Sequence, residues 1–481
     1  MRRSTLLAAL LIAMVTAATA LGGEPKPLQF WHTQAQENAE LLQKIVDDYN
    51  ATDPPIPVVL VYSGGYSALF RKVRVAIPTG KLPDLVVAYE SMVAEYIQSD
   101  AVVPLDPYIH DPEIGLSKES LADIFPSILE NNRYAAFGNK FYTFPFTKSV
   151  LMFYYNLDLI RKAGFEKRPE TWTEFAEQCL AMKKKLGKEG YAISVDASTV
   201  DGMIMSYGGQ IVTADGRRAL FDKPPAVQAF TLIHDLCRQG GAYQIDRENY
   251  GDRKDFASQN CAFFLRSSTT RPFIQGDIQG RFDWDMGVIP HGEGVEPVTV
   301  LFGANVAVMK TGDERQRAAW QFVKYFASTP VTARWSIGTG YLPVRRSAAD
   351  RPEVKAFFAT DRSNRRAFDA LEVARAEPGV LGWQEARGKI EEAASDAIGG
   401  RVPPEQIARR LNEQANAILA RHREGAAESA RHAKGAGAGR GTGGHVGTFW
   451  LFLGVVGAAV AIGVAVSLVR SARTRREGGS E

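Results

Sequence analysis

No run in this 481-residue sequence has the spacing of a familiar catalytic device. A strained serine nucleophile needs Gly-x-Ser-x-Gly, and a zinc hydrolase needs two histidines one helical turn apart. A nucleotide phosphate needs a glycine-rich loop ending in Gly-Lys-Ser/Thr. None occurs, and the seven histidines include no pair at metal-ligand spacing. What recurs instead is a polar or aromatic residue beside an extended apolar run. Tyr66 follows the run ending at Val61, behind Gly64-Gly65, and Glu90 closes the run Asp84–Tyr89. Ser149 opens the run to Tyr155, and Ser267 and Ser268 follow Ala262–Leu265. Gly303 precedes Asn305–Met309, and Tyr341 stands in the turn Gly340-Tyr341-Leu342-Pro343.

Open α/β sheets bind ligands beyond the carboxyl ends of their strands, where loops present side chains and free N–H groups. Tyrosine offers a flat apolar face and a hydroxyl, and a carboxylate accepts hydrogen bonds from two adjacent hydroxyls. This is chemistry for capturing a hydroxyl-rich molecule; neither an enzyme nor a cofactor is expected. Each residue also has a plainer reading. Tyr66 and Tyr341 could pack on turns, Glu90 could cap a helix, and the serines could satisfy backbone groups. Gly303 could serve its turn alone, while Trp31 and Trp172 read as core.

These residues need elements to hold them. Leu28–Trp31 is a short strand. Leu41, Leu42, Ile45, Val46 and Tyr49 then recur at helical spacing until Asp53-Pro54-Pro55 stops them. Val58–Val61 is a second strand, Leu69, Val73 and Ala76 mark a helix, and Asp84–Tyr89 is a third strand. That alternation predicts a parallel sheet covered by helices. Ser149–Tyr155, Ala262–Leu265 and Asn305–Met309 are further strands. Thr171-Trp172-Thr173-Glu174 has the form of a capping box opening a helix. Helices at about 314–327, 384–398 and 404–420 close the body.

The ends differ from this body. Met1-Arg2-Arg3, the apolar stretch from Leu6, and Ala17-Ala18-Thr19-Ala20 have the order of a secretory signal, residues 1–22. Residues 424–445 are rich in Gly, Ala, Arg and Ser and read as a flexible tether. Residues 446–469 carry no charge; at 1.5 Å per residue they reach about 36 Å, enough for a single transmembrane helix. A short basic cytoplasmic tail, 470–481, follows. The expected location is therefore extracytoplasmic, with a single-pass membrane anchor. A net charge of +3 predicts no nucleic-acid partner. Three cysteines are too few for a disulfide scaffold; Cys237–Cys261 could pair, or all three could be free.

In its ordered motifs the sequence resembles the solute-binding proteins of ABC importers, in the carbohydrate-type group, and especially glycerol-3-phosphate-binding receptors. The motifs are Phe30-Trp31-His32, Gly64-Gly65-Tyr66, Pro83-Asp84-Leu85, Tyr89-Glu90, Phe144-Pro145-Phe146, Tyr154-Tyr155-Asn156, Lys162-Ala163-Gly164 and Thr171-Trp172. Cys261-Ala262, Ser267-Ser268, Gly303-Ala304 and Thr339-Gly340-Tyr341-Leu342-Pro343 follow. The likeness covers about residues 27–420.

The resemblance implies a two-lobed periplasmic-binding-protein-like α/β fold with hinge crossings. One lobe would take 27–145 with 302–345, and the other 149–300 with 346–420. By the same matching, Tyr66, Glu90, Ser149, Ser268, Gly303 and Tyr341 line up with ligand contacts. Arg387 lines up with a phosphate-side arginine, although a pairing with Glu391 on its own helix is the plainer reading. The implied ligand is a sugar, a polyol phosphate or a glycerophosphodiester, and the implied partners are ABC permease subunits. A membrane-bound sensor serving a separate signalling protein is the alternative. One departure stands out. Where those receptors carry two tryptophans framing glycerol, Asp196–Met203 here has no aromatic residue. The wall should be smaller and more polar, with Asp196 and Asp201 either ligand contacts or loop acids.

Overall fold

The computed structural model describes residues 26–247 and 249–438. The expected signal (1–22), the apolar run 446–469 and the tail 470–481 lie outside the described residues, as does the end of the segment read as a tether. Among the described residues no helix is long and apolar enough to cross a membrane. The chain divides into a unit ending at Glu424 and a second beginning at Gly425. The closing helix, expected to end near residue 420, spans Pro404–Ala438. The tether reading is corrected over 424–438, because Ala, Arg and Glu sustain a helix there despite Gly425, Gly435 and Gly437.

The first unit is built on two sheets. The strands of the first are β1 (Leu28–His32), β2 (Val58–Tyr62) and β3 (Leu85–Ala88). After a small hairpin, β4 (Arg133–Tyr134) and β5 (Lys140–Phe141), comes β6 (Phe144–Pro145). The chain then enters the second sheet with β7 (Ser149–Asn156), β8 (Tyr191–Ile193), β9 (Ala242–Gln244), β10 (Phe263–Ser267), β11 (Trp284–Gly287) and β12 (Thr299–Phe302). It returns through β13 (Asn305–Val308) and adds β14 (Ala374–Arg375).

The first sheet has the order β2-β1-β3-β13-β6, and the second β14-β12-β7-β10-β8-β9, with β11 also paired to β7. β1, β2 and β3 are parallel, as their alternation with helices predicts. The sheet as a whole is mixed, because β13 runs antiparallel to both β3 and β6. β12 and β13 are separated only by Gly303-Ala304, where the chain passes directly from one sheet into the other.

The most apolar strand lies at the heart of the second sheet. All eight residues of β7 are buried. Leu151, Phe153 and Tyr155 point into one core with Phe175, Phe230 and Trp383. Val150, Met152 and Tyr154 point into the other, which runs on to Phe30, Val86 and Trp320. This is the two-residue period of an extended strand, apolar on both faces. In the helix Gln36–Asn50, by contrast, Leu42, Ile45, Val46 and Tyr49 are buried, the spacing of one helical face.

Candidate functional site

A cleft of about 700 Å³ lies between the two sheets' loop ends. Six of the seven residues singled out in the sequence line it: Tyr66, Glu90, Ser149, Gly303, Tyr341 and Arg387. The structure brings them together from chain positions more than three hundred residues apart. Ser268 stands behind the wall, fully buried, its Oγ accepting from the Val150 N–H at 3.3 Å. Its neighbours Ser267 and Thr269 reach the cleft instead.

The first-lobe wall is aromatic. Tyr66 opens the helix Tyr66–Thr79, and its ring lies 4.2 Å from that of Tyr89. Tyr341 stacks on the buried Trp335, with ring centroids 6.3 Å apart and planes within 14°. Burial raises the pKa of Tyr66, Tyr89 and Tyr341, so all three hydroxyls stay protonated and can donate.

Glu90 begins the helix Glu90–Gln98 directly after β3, where the helix N-terminus favours a negative side chain. Its Oε1 accepts from Asn305 Nδ2 at 2.8 Å. Asn305 also donates to Asn131 Oδ1 at 3.0 Å, and that oxygen accepts from Lys148 Nζ at 2.6 Å. Lys148 donates in turn to the Gly303 carbonyl at 3.1 Å. Burial raises the Glu90 carboxyl and pushes the fully buried Lys148 down to about 8, and the opposite charge of each partner limits the shift of the other. A polar chain thus joins the cleft's carboxylate to both crossings, Phe146–Lys148 and Gly303-Ala304. Sequence reasoning missed Lys148, Asn131 and Asn305, since no periodicity marks a buried polar residue.

Gly303 has a backbone reason to be glycine. Its φ is +101°, and a Cβ there would stand 2.0 Å from the Thr147 carbonyl oxygen.

The second-lobe wall differs from the expected small, polar surface. Asp196 caps the helix Ala197–Ser206, accepting from the Ser198 and Thr199 N–H groups at 2.8 and 3.3 Å. It is also ion-paired with Arg247. Asp201 is buried; burial first, then the neighbouring Glu377, raise its carboxyl well above the usual carboxylate range. Gly202 beside it lets the helix lie close to the sheet, because a Cβ there would meet Leu151 at 2.8 Å and Val300 at 3.1 Å. Aromatic surface comes from elsewhere. Phe302 and Tyr250 line the cleft beside the buried Trp383, and Tyr250 holds a left-handed φ of 54° and is 51% exposed.

Arg387 lies near the start of the helix Trp383–Gly399. Its partner is Glu377, from the preceding loop, rather than Glu391 on its own helix. Its Nη1 also donates to Ser198 Oγ at 2.9 Å, and that hydroxyl donates to Glu377 Oε2 at 2.8 Å. Burial disfavours the charge on Arg387, yet Glu377, Asp196 and Asp201 together hold its pKa above the ordinary arginine value. The loop carrying Glu377 reaches across the cleft: a Cβ on Gly379 would stand 3.3 Å from Glu90 Cβ. Ser91 Oγ and Gln384 Oε1 complete a contact between the lobes at 3.1 Å. Among the described residues no group of three or more His, Cys, Asp or Glu is placed to hold a metal ion. Cys179, Cys237 and Cys261 are all free, which decides between the two readings of the cysteines.

Two lobes, two crossings and a cleft between them define a binding protein of the bilobal α/β class. The profile of the bacterial extracellular solute-binding proteins matches residues 44–360, and the chain belongs to that family. Among its relatives is the sn-glycerol-3-phosphate-binding periplasmic protein UgpB of Yersinia pestis bv. Antiqua (strain Antiqua). The two are 24% identical over 344 residues, 69% of this chain and 77% of the relative. The fold matches the cyclic α-maltosyl-1,6-maltose binding protein of Arthrobacter globiformis, with a TM-score of 0.73 and 20% identity, over 82% of this chain and 99% of that one. It also matches UgpB of Mycobacterium tuberculosis in complex with glycerophosphocholine, with a TM-score of 0.71 and 22% identity, over 82% and 99% of the two chains.

Proposed function

We propose that this chain is a membrane-tethered receptor of an ABC importer. It captures a sugar, a polyol phosphate or a glycerophosphodiester between its lobes and delivers it to a permease. The observation that carries this is the convergence of Tyr66, Glu90, Ser149, Gly303, Tyr341 and Arg387 on one cleft of about 700 Å³, within the size range of small-molecule sites. Tyr66, Tyr89 and Tyr341 present faces and hydroxyls to a carbon skeleton, and Glu90 accepts from its hydroxyls. Ligand closes the lobes by rotation at Phe146–Lys148 and Gly303-Ala304, and the closed form docks on the permease. The apolar run 446–469 keeps the receptor near that partner, raising its local concentration.

A thermal-shift screen of the full-length chain against sugars, sugar phosphates and glycerophosphodiesters tests the binding. A specific ligand raises the melting temperature by mass action on the native state. If no member of the three classes does so, or if a phosphodiester is hydrolysed, this function is wrong. Fractionation of cells carrying the chain with and without 446–469 tests the anchor. Retention in the membrane fraction should depend on that segment.

A further inference from the structure

The cleft's positive charges are already answered from within the chain. Arg387 pairs with Glu377, Arg247 with Asp196 and Glu391, and Arg266 with the buried Asp252. Around Arg387 and Arg247 the carboxylates Glu377, Asp196 and Glu391 number three against two guanidinium groups, a formal charge of 2 − 3 = −1.

Glu377 is the decisive member. Its carboxylate holds the same guanidinium nitrogen that donates to Ser198 Oγ, and its second oxygen accepts from that serine. An anion reaching for Arg387 meets a carboxylate already seated there. Like charges at that range repel strongly in a half-buried site, and a guanidinium whose Nη1 is already engaged by its own protein is a poorer phosphate clamp. The rest of the cleft points the same way. Its aromatic faces come from both lobes, and its volume of about 700 Å³ is far more than glycerol 3-phosphate would fill.

We infer that Glu377 sets the ligand class, excluding phosphate from Arg387 so that the cleft takes an uncharged, polyhydroxylated molecule of oligosaccharide size. This rests on the solute-binding reading and narrows it. Glu377 acts on specificity through Arg387, holding the guanidinium as part of a neutral, hydroxyl-accepting and hydroxyl-donating surface rather than as a free cation.

The test compares the full-length wild-type chain with Glu377→Gln and Glu377→Ala by calorimetric titration. The probes are a panel of neutral di- and trisaccharides, sn-glycerol 3-phosphate and glycerophosphocholine. Wild type should bind a neutral saccharide, and either phosphate compound much more weakly. Glu377→Gln keeps the size and the hydrogen bond to Ser198 but removes the charge, and should gain affinity for sn-glycerol 3-phosphate by roughly tenfold or more. Glu377→Ala serves as the second variant should Gln reseat on Arg387. Circular dichroism melts confirm that both are folded.

Tighter binding of either phosphate compound than of any saccharide by wild type overturns the inference and leaves the solute-binding function standing. So does an unchanged affinity for sn-glycerol 3-phosphate in both variants. Failure of wild type and variants alike to bind any probe counts against the function itself, and the inference falls with it.

Discussion

At the scale of single residues, the site's charge is governed by burial as much as by composition. Glu90 is the acceptor best placed for ligand hydroxyls, and burial raises its pKa. Lys148 opposes that shift through the charge it carries at the far end of the Asn131–Asn305 chain. Replacing Lys148 by Met removes the opposing charge, so the Glu90 pKa rises further. A protonated Glu90 accepts fewer hydrogen bonds, so ligand affinity in Lys148→Met should fall at a higher pH than in wild type as the solution is acidified. Titration of affinity against pH reads this directly; superimposed profiles would show that the pair is not coupled as argued. Of this arrangement the sequence offered Glu90, because a carboxylate after a strand has a recognisable position. It offered nothing on Lys148, since a buried lysine looks like any exposed one until its surroundings are known.

Elements are where local chemistry speaks most plainly. Thr171 accepts from the Glu174 N–H at 3.2 Å and Glu174 accepts from the Thr171 N–H at 3.3 Å, the reciprocal box that the four residues predict. Thr171→Ala should cost about 1 kcal/mol, seen as a lower denaturant midpoint with an unchanged slope. A larger loss would mean that the Thr171 side chain does more than cap this helix. The final helix is the opposite lesson. Glycines suggested that structure ends near residue 420, yet the helix reaches Ala438, because scattered glycines weaken a helix by about 1 kcal/mol each without forbidding it. The second-lobe wall shows the same limit. The stretch Asp196–Met203 lacks aromatic residues, but Tyr250, Phe302 and Trp383 arrive from three other elements.

For the whole molecule, the crossings carry the weight of the design. Gly303 sits where the chain passes between lobes, with positive φ and no space for a Cβ. Gly303→Ala forces the Thr147 carbonyl aside at the point where the two strands of the crossing meet, and should destabilise the fold by roughly 3 kcal/mol or more. Chemical denaturation measures this, and a loss below about 1 kcal/mol would show that the crossing yields easily.

The order of strands and helices, the helix cap and the polar residues beside strand ends were determined by the sequence alone, because backbone preference and apolar period act over a few neighbouring residues. The direction of β13, the burial of Lys148, the withdrawal of Ser268 behind the wall and the meeting of Glu377 with Arg387 were decided only by tertiary structure. Each depends on segments far apart in the chain coming within a few ångströms, and no local rule fixes which distant side chain a charge will find.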